Sequence, residues 1–123
     1  MAIRFRSRRA VLAAVGAVIL SPRRGEAHAI LEVSTPAAGG KVPAGPVALK
    51  LRFNSRIDRA RSRLTLTGPE QQHTNPQIDP DGTPDVMTTT LTLTPGSYVL
   101  RWQVLAIDGH ITRGDVPFTV TGP

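Results

Sequence analysis

The chain has 123 residues and no cysteine, so it is long enough for one domain but cannot use disulfides or thiolate metal ligands. Its net charge of +6 comes from the first 27 residues, which hold six arginines and one glutamate; nine basic and eight acidic residues follow them. A nearly neutral remainder with one tryptophan and one tyrosine argues against nucleic-acid binding, because it offers neither a basic stripe nor stacking aromatics.

The N-terminal segment is predicted to be an export signal. An arginine-rich start precedes the apolar run 10–20, which is too short to span a bilayer, and small residues mark a cleavage site after Ala27. The stretch SRRAVL at 7–12 resembles the twin-arginine export motif, and an ordinary secretory signal and an amphipathic helix are the alternatives. We therefore expect residues 1–27 to be removed and residues 28–123 to form a soluble, monomeric periplasmic domain.

The rest of the chain alternates between strand-like and turn-rich stretches. A long Pro/Gly loop is predicted at 35–46, an exposed helical turn within the charged segment 54–63, and a mobile surface excursion at 69–85. Alternating apolar residues and β-prone residues predict strands at 29–34, 47–53, 62–68, 86–94, 97–107 and 115–121. Regularly spaced turns without a convincing helix indicate an antiparallel β-sandwich of about seven strands, with Trp102 in its core.

Near the C-terminus, the stretch LAIDGHITRGDVPFTV at 105–120 places an acid and an imidazole two residues apart. In an extended chain Asp108 and His110 would project to the same side and could act together as metal ligands. Gly109 between them leaves room for a ligand or a sharp bend. Asp-Gly is also a strong turn dipeptide, so a simple turn remains an open interpretation.

His28 would supply the other half of such a site. If cleavage follows Ala27, His28 becomes the first residue of the mature chain, and its free amine and imidazole Nδ1 can chelate a cation together. Deprotonating an α-amine costs little near neutral pH. With one nitrogen from His110 and one oxygen from Asp108, the donors number three nitrogens and one oxygen, which suits tetragonal Cu(II).

These stretches resemble the periplasmic copper-resistance protein C (CopC) domain family. The start HAILEVSTPAAGGKVPAGPVALKLRF and the end GSYVLRWQVLAIDGHITRGDVPFTV are similar to the first and last parts of that family. The resemblance implies an all-β, Greek-key antiparallel β-sandwich of the Ig-like or cupredoxin-like type. It also implies Cu(II) bound by His28, Asp108 and His110, in a non-enzymatic copper-resistance or copper-homeostasis protein. A CopD-like inner-membrane copper transporter is the partner that it suggests.

The sequence departs from the family pattern at two features. Some members have a glutamate just after the phenylalanine that ends the second strand, where this chain has Ser55, so no glutamate ligand is carried over. Other members have a methionine-rich loop that binds Cu(I), but only Met87 follows the predicted signal here. His73 is interpreted as a surface loop residue, and no Cu(I) site is expected.

Two other classes of function remain as alternatives. Copper held by an N-terminal histidine on a sandwich is also found in lytic polysaccharide monooxygenases, but these enzymes usually add a flat aromatic surface that Tyr98 and Trp102 do not provide. A metal-free sandwich that acts only as an interaction module is the second alternative, since fold alone does not fix function. A Ser-His-Asp hydrolase is disfavoured, because the sequence has no Gly-x-Ser-x-Gly motif.

Overall fold

A computed structural model of the chain describes residues 28–122. The predicted export signal and the bond after Ala27 lie outside these residues. Among the residues described, none lies in a helix long and apolar enough to cross a bilayer. The described part contains eight strands: β1 (Leu31–Thr35), β2 (Gly40–Pro43), β3 (Gly45–Phe53), β4 (Ile57–Thr67), β5 (His73–Thr74), β6 (Val86–Leu93), β7 (Gly96–Ala106) and β8 (Ile111–Thr121).

The strands form two sheets packed face to face. The first has the order β1-β3-β6, and the second has the order β2-β8-β7-β4-β5. The chain passes from one sheet to the other after β1, β2, β3, β5 and β6, which confirms the all-β sandwich of Greek-key type. All strand pairs are antiparallel except β2 with β8, which is parallel and was not predicted.

Alternating side chains from the two sheets fill the core. On β3 every second residue is buried, as its apolar/polar alternation predicts. Trp102 on β7 is only 7% exposed, so its predicted core position is confirmed. Its ring meets that of Phe53 edge-on, with the ring centroids 5.2 Å apart. Gly114 on β8 lies directly opposite Trp102, where a Cβ atom would stand 2.4 Å from the indole Cζ2. The indole therefore fits because this position of β8 has no side chain.

The helical turn predicted within 54–63 is wrong, because β4 occupies most of that segment. The register of β4 on β7 shifts between Asp58 and Arg63, so the intervening residues form a bulge. The Ser62 hydroxyl donates to the Asp58 carbonyl (2.6 Å) and accepts from the Leu105 N–H (3.1 Å). This side chain replaces part of the backbone ladder, which allows a charged segment to remain in the sheet.

The two predicted loops are also more ordered than their turn-forming residues indicate. The Pro/Gly loop at 35–46 contains β2 and the start of β3. The excursion at 69–85 contains β5, and its second half is tied to the sandwich by the Arg59 guanidinium. That guanidinium donates to the carbonyls of Pro80, Gly82, Thr83 and Val86 at 2.6–3.3 Å. The Arg59 side chain therefore fixes the part of the chain that leads into β6.

Candidate metal centre

The Asp-Gly-His segment forms the turn that joins β7 to β8. The Gly109 N–H donates to the Ala106 carbonyl (2.9 Å), and the Ala106 N–H donates to the His110 carbonyl (2.8 Å). Gly109 has a φ of +93°, a conformation that side-chain-bearing residues rarely adopt. The segment is therefore a turn, and the extended-chain argument for pairing Asp108 with His110 does not apply. The turn itself brings the two side chains together.

Asp108 makes two hydrogen bonds with His110. Its Oδ1 accepts from the His110 backbone N–H (3.1 Å), and its Oδ2 lies 2.8 Å from the imidazole Nδ1. The backbone hydrogen bond is the main cause, and the side-chain bond the next, of the lowered pKa of the Asp108 carboxyl. An ionised carboxylate can only accept, so Nδ1 is the nitrogen that carries the hydrogen in this contact. A ring with this single hydrogen keeps the lone pair of Nε2 for a metal. Carboxylates commonly orient metal-binding histidines in this way.

His28 lies beside His110, although the two residues are far apart in the sequence. Their ring centroids are 4.5 Å apart, and the ring planes are inclined by 55°. The His110 side chain is 60% exposed and that of Asp108 is 24% exposed, so the pair is open to solvent. The structure thus brings together two imidazoles and a carboxylate at one end of the sandwich.

The backbone following His28 is fixed to both sheets. Ala29 is fully buried, and its carbonyl accepts from the Thr112 hydroxyl of β8 at 2.7 Å. The Ile30 N–H donates to Asn54 Oδ1 (2.8 Å), and the Asn54 N–H donates to the Ile30 carbonyl (2.9 Å). Asn54 directly follows β3 of the three-stranded sheet. Neither Thr112 nor Asn54 can be recognised from the sequence, because their partners are backbone groups far away along the chain.

The three residues do not form a closed metal cage. Within residues 28–122, no three histidine, aspartate or glutamate side chains are already grouped to hold a metal ion. The Asp108 oxygens are instead directed at His110. The α-amine of His28 would depend on cleavage of a bond outside the described part. Ligation by His28, Asp108 and His110 therefore stays a prediction, which their juxtaposition supports.

The other residues considered as donors lie elsewhere. His73 is exposed on β5, at the edge of the five-stranded sheet, and its Nδ1 is 3.1 Å from the Thr67 hydroxyl. Met87 is fully buried in the core and is closed to solvent. The Ser55 hydroxyl is buried and has no hydrogen-bond partner among the residues described. A serine hydroxyl lacks the charge that a glutamate would bring to this position.

Residues 31–121 match the family model described as the CopC domain. The chain belongs to the CopC domain family. This CopC chain is 33% identical to Protein YobA of Escherichia coli K12 over 124 residues, covering 98% of this chain and 99% of that protein. The family resemblance read from the sequence is therefore confirmed.

Solved structures of the same family share the sandwich. CopC from Methylosinus trichosporium OB3b superposes with a TM-score of 0.71 at 31% identity, covering 77% of this chain and 95% of that one. PcoC from Escherichia coli, described as a methionine-rich copper resistance protein, gives a TM-score of 0.61 at 28% identity, covering 77% of this chain and all of that one. This CopC chain has only two methionines, Met1 and Met87, so it lacks the feature for which PcoC is described.

Proposed function

We propose that this protein is an exported Cu(II)-binding protein of copper resistance or copper homeostasis. It would act in the periplasm, where it buffers copper or delivers it to a membrane partner such as a CopD-like copper transporter. Membership of the CopC domain family and the described role of PcoC support the class of function. The assignment of copper binding to particular residues rests on one observation. The imidazoles of His28 and His110 are in contact, with their ring centroids 4.5 Å apart.

The donor set suits Cu(II) as the cargo. Imidazole and carboxylate ligands suit divalent copper, which leads the first-row metals in affinity for such donors. In the described structure Asp108 accepts from the His110 Nδ1, which leaves Nε2 of His110 as the nitrogen for the metal. Asp108 would join the donor set only if its carboxylate turned from Nδ1 to the ion. Cleavage before His28 would add an amine and complete the predicted set. The chain has no cysteine, and Met87 is buried, so soft ligands for Cu(I) are not offered at this site.

We propose binding rather than catalysis. Small-molecule sites are usually concave and bury most of their ligand. Here two of the proposed ligands, Asp108 and His110, lie on a turn between two strands, and the side chain of His110 is 60% exposed. An exposed ion can be passed to another protein, whereas an oxidising copper enzyme must hold a substrate next to an open coordination position. The exposed turn therefore favours storage and exchange.

The test is a copper titration of protein exported from the full-length chain, with its N-terminus at His28 checked by mass spectrometry. His110→Ala is expected to weaken Cu(II) binding severely and to change the electron paramagnetic resonance spectrum. Asp108→Asn is expected to weaken it less, because an amide oxygen can still approach but carries no charge. His73→Ala is the matched control and should bind as the parent does. Equal affinity in His110→Ala and the parent would rule the site out.

The predicted amine ligand needs its own test. Protein carrying an additional methionine before His28 has an amide at that nitrogen, which is a poor ligand unless deprotonated. We expect weaker Cu(II) binding and an altered electron paramagnetic resonance spectrum for this form. An unchanged affinity and spectrum would remove the amine from the donor set.

A further inference from the structure

The position of His28 depends on the short segment that joins it to β1. Only two residues separate His28 from the start of β1 at Leu31. Its backbone would be free to move away from His110 unless the next residues were held in place, because a terminal segment loses considerable conformational entropy when it is fixed. Whatever fixes Ala29 and Ile30 therefore determines how often the two imidazoles are adjacent.

The strongest of these attachments is made by Thr112. Along β8 the even-numbered residues face the interior, and Thr112 is the first of them after the turn. Its hydroxyl donates to the Ala29 carbonyl at 2.7 Å, and the adjacent Ala29 side chain is fully buried. A buried apolar group and a hydrogen bond to the same residue resist both rotation and withdrawal of the segment. The strand that follows His110 thus also holds the residue that follows His28.

Asn54 makes the second attachment, from the other sheet. It exchanges two hydrogen bonds with Ile30, one through its side-chain Oδ1 and one through its backbone N–H. Asn54 is exposed, so water competes with its side-chain bond more than with that of Thr112. Together the two residues attach one short segment to β8 and to the end of β3.

We infer that Thr112 and Asn54 are positioning residues of the copper site, which hold His28 against His110 before any metal binds. The effect on copper affinity rests on the proposed function. The attachment of Ala29 and Ile30 does not. Thr112 donates its hydroxyl hydrogen to a backbone carbonyl and not to a candidate ligand. It acts by fixing the backbone of Ala29, and Asn54 acts in the same way on Ile30. The site is therefore preorganised, and its affinity depends on residues outside the donor set.

The decisive variant is Thr112→Val, which keeps the shape of the side chain and removes the hydroxyl. We expect Cu(II) affinity to fall about fivefold, the effect of losing one hydrogen bond of ordinary strength. In the metal-free protein, the nuclear Overhauser effects between the His28 and His110 rings should weaken, and the Ile30 amide should exchange faster. Thr112→Ser keeps the hydroxyl and should restore all three properties. Asn54→Ala should lower the Cu(II) affinity less, by about twofold. Asn54→Asp keeps the acceptor oxygen and should restore the affinity.

Thr121→Val is the matched control. Thr121 lies on the same strand, and its hydroxyl donates to the Val42 carbonyl at 3.2 Å, far from the turn. Urea unfolding would compare the stability that the two threonines supply. A Thr112→Val protein that keeps the ring contact and the copper affinity, or loses affinity only as Thr121→Val does, would overturn the inference. A parent protein that binds no Cu(II), while Thr112→Val still separates the rings, would instead refute the proposed function and leave the positioning role in place.

Discussion

At the scale of single residues, the pairing of Trp102 with Gly114 is a strict packing constraint. A methyl group at position 114 would stand 2.4 Å from the indole Cζ2, and both positions lie in paired strands that cannot easily separate. We expect Gly114→Ala to lower the free energy of unfolding by about 1–3 kcal/mol, as overpacking a core does. Urea unfolding would measure the loss. Gly122→Ala is the control, because its new methyl group would meet no atom closer than 3.7 Å.

A second residue-level prediction concerns the exposed pair of Arg101 and Asp115. The Arg101 guanidinium donates to both carboxylate oxygens (2.9 and 3.1 Å), and this hydrogen bonding lowers the pKa of Asp115. A lowered pKa in the folded state means that the pair stabilises the protein above the ordinary aspartate pKa. This stabilisation is lost as the pH falls through the lowered value. The effect is small, because both side chains are largely exposed.

Replacement of the arginine tests this prediction. In Arg101→Gln the pKa of Asp115 should rise towards the ordinary aspartate value of about 3.9. Carbon-13 chemical shifts of the carboxyl group, followed from neutral to acidic pH, would give the midpoint directly. Arg113→Gln is a suitable control, because Arg113 donates to the Gln103 side chain and not to Asp115. An unchanged midpoint in Arg101→Gln would contradict the assigned cause.

The candidate ligands could be predicted from the sequence, whereas the residues that position them could not. His28, Asp108 and His110 have side chains with metal-binding chemistry, and two of them lie within one short motif. The hydroxyl of Thr112 meets a backbone carbonyl that belongs to the other end of the domain. Every residue has such a carbonyl, so no pattern of residue types indicates which one will be used.

At the scale of elements, the bulge in β4 explains why the sequence predicts a helical turn where the structure has a strand. The Asp58–Arg63 segment places four charges in six positions, without the alternation that marks a half-buried strand. Its place in the sheet depends on Ser62, which bonds to both its own strand and β7. Strand β3 was predicted well because its alternation is local. Strand β2 was missed because its Pro/Gly composition indicates a turn, and only the pairing with β8 makes it a strand.

Removal of that hydroxyl tests the role of the bulge. Ser62→Ala leaves the Leu105 N–H without its acceptor, so we expect the free energy of unfolding to fall by about 1–3 kcal/mol. The Leu105 amide should also exchange with solvent faster. Ser97→Ala, at the exposed start of β7, controls for the loss of a hydroxyl from a strand. Similar stability for Ser62→Ala and the parent would mean that water replaces the hydroxyl at the bulge.

At the scale of the whole molecule, copper binding and folding should be coupled. The imidazoles of His28 and His110 are adjacent only when the sandwich is folded, so the predicted site has no counterpart in the unfolded chain. Free Cu(II) at 100 times the dissociation constant should therefore raise the free energy of unfolding by about 2.7 kcal/mol. Thermal or urea unfolding with and without copper would measure this, and a chelator should reverse it. His110→Ala should show no comparable shift.

The sandwich itself was predictable because short strands at regular intervals, with no helical periodicity, leave few other ways to bury the apolar faces. The order of the strands was not predictable. The parallel pair β2–β8 joins residues near both ends of the domain, and such long-range pairing is decided by the packing of the complete core.

The pairing of β8 also has a consequence for which molecules could bind copper at the proposed site. Strand β8 completes the five-stranded sheet, holds β2 in parallel and supplies the hydroxyl that fixes Ala29. It is the last of the eight described strands, whereas His28 lies before the first of them. A domain that a protease has cut directly after His110 keeps all three candidate ligands and loses the strand that assembles them. Copper loading would therefore distinguish intact domains from cut ones, because the candidate ligands would meet only in a chain that contains β8.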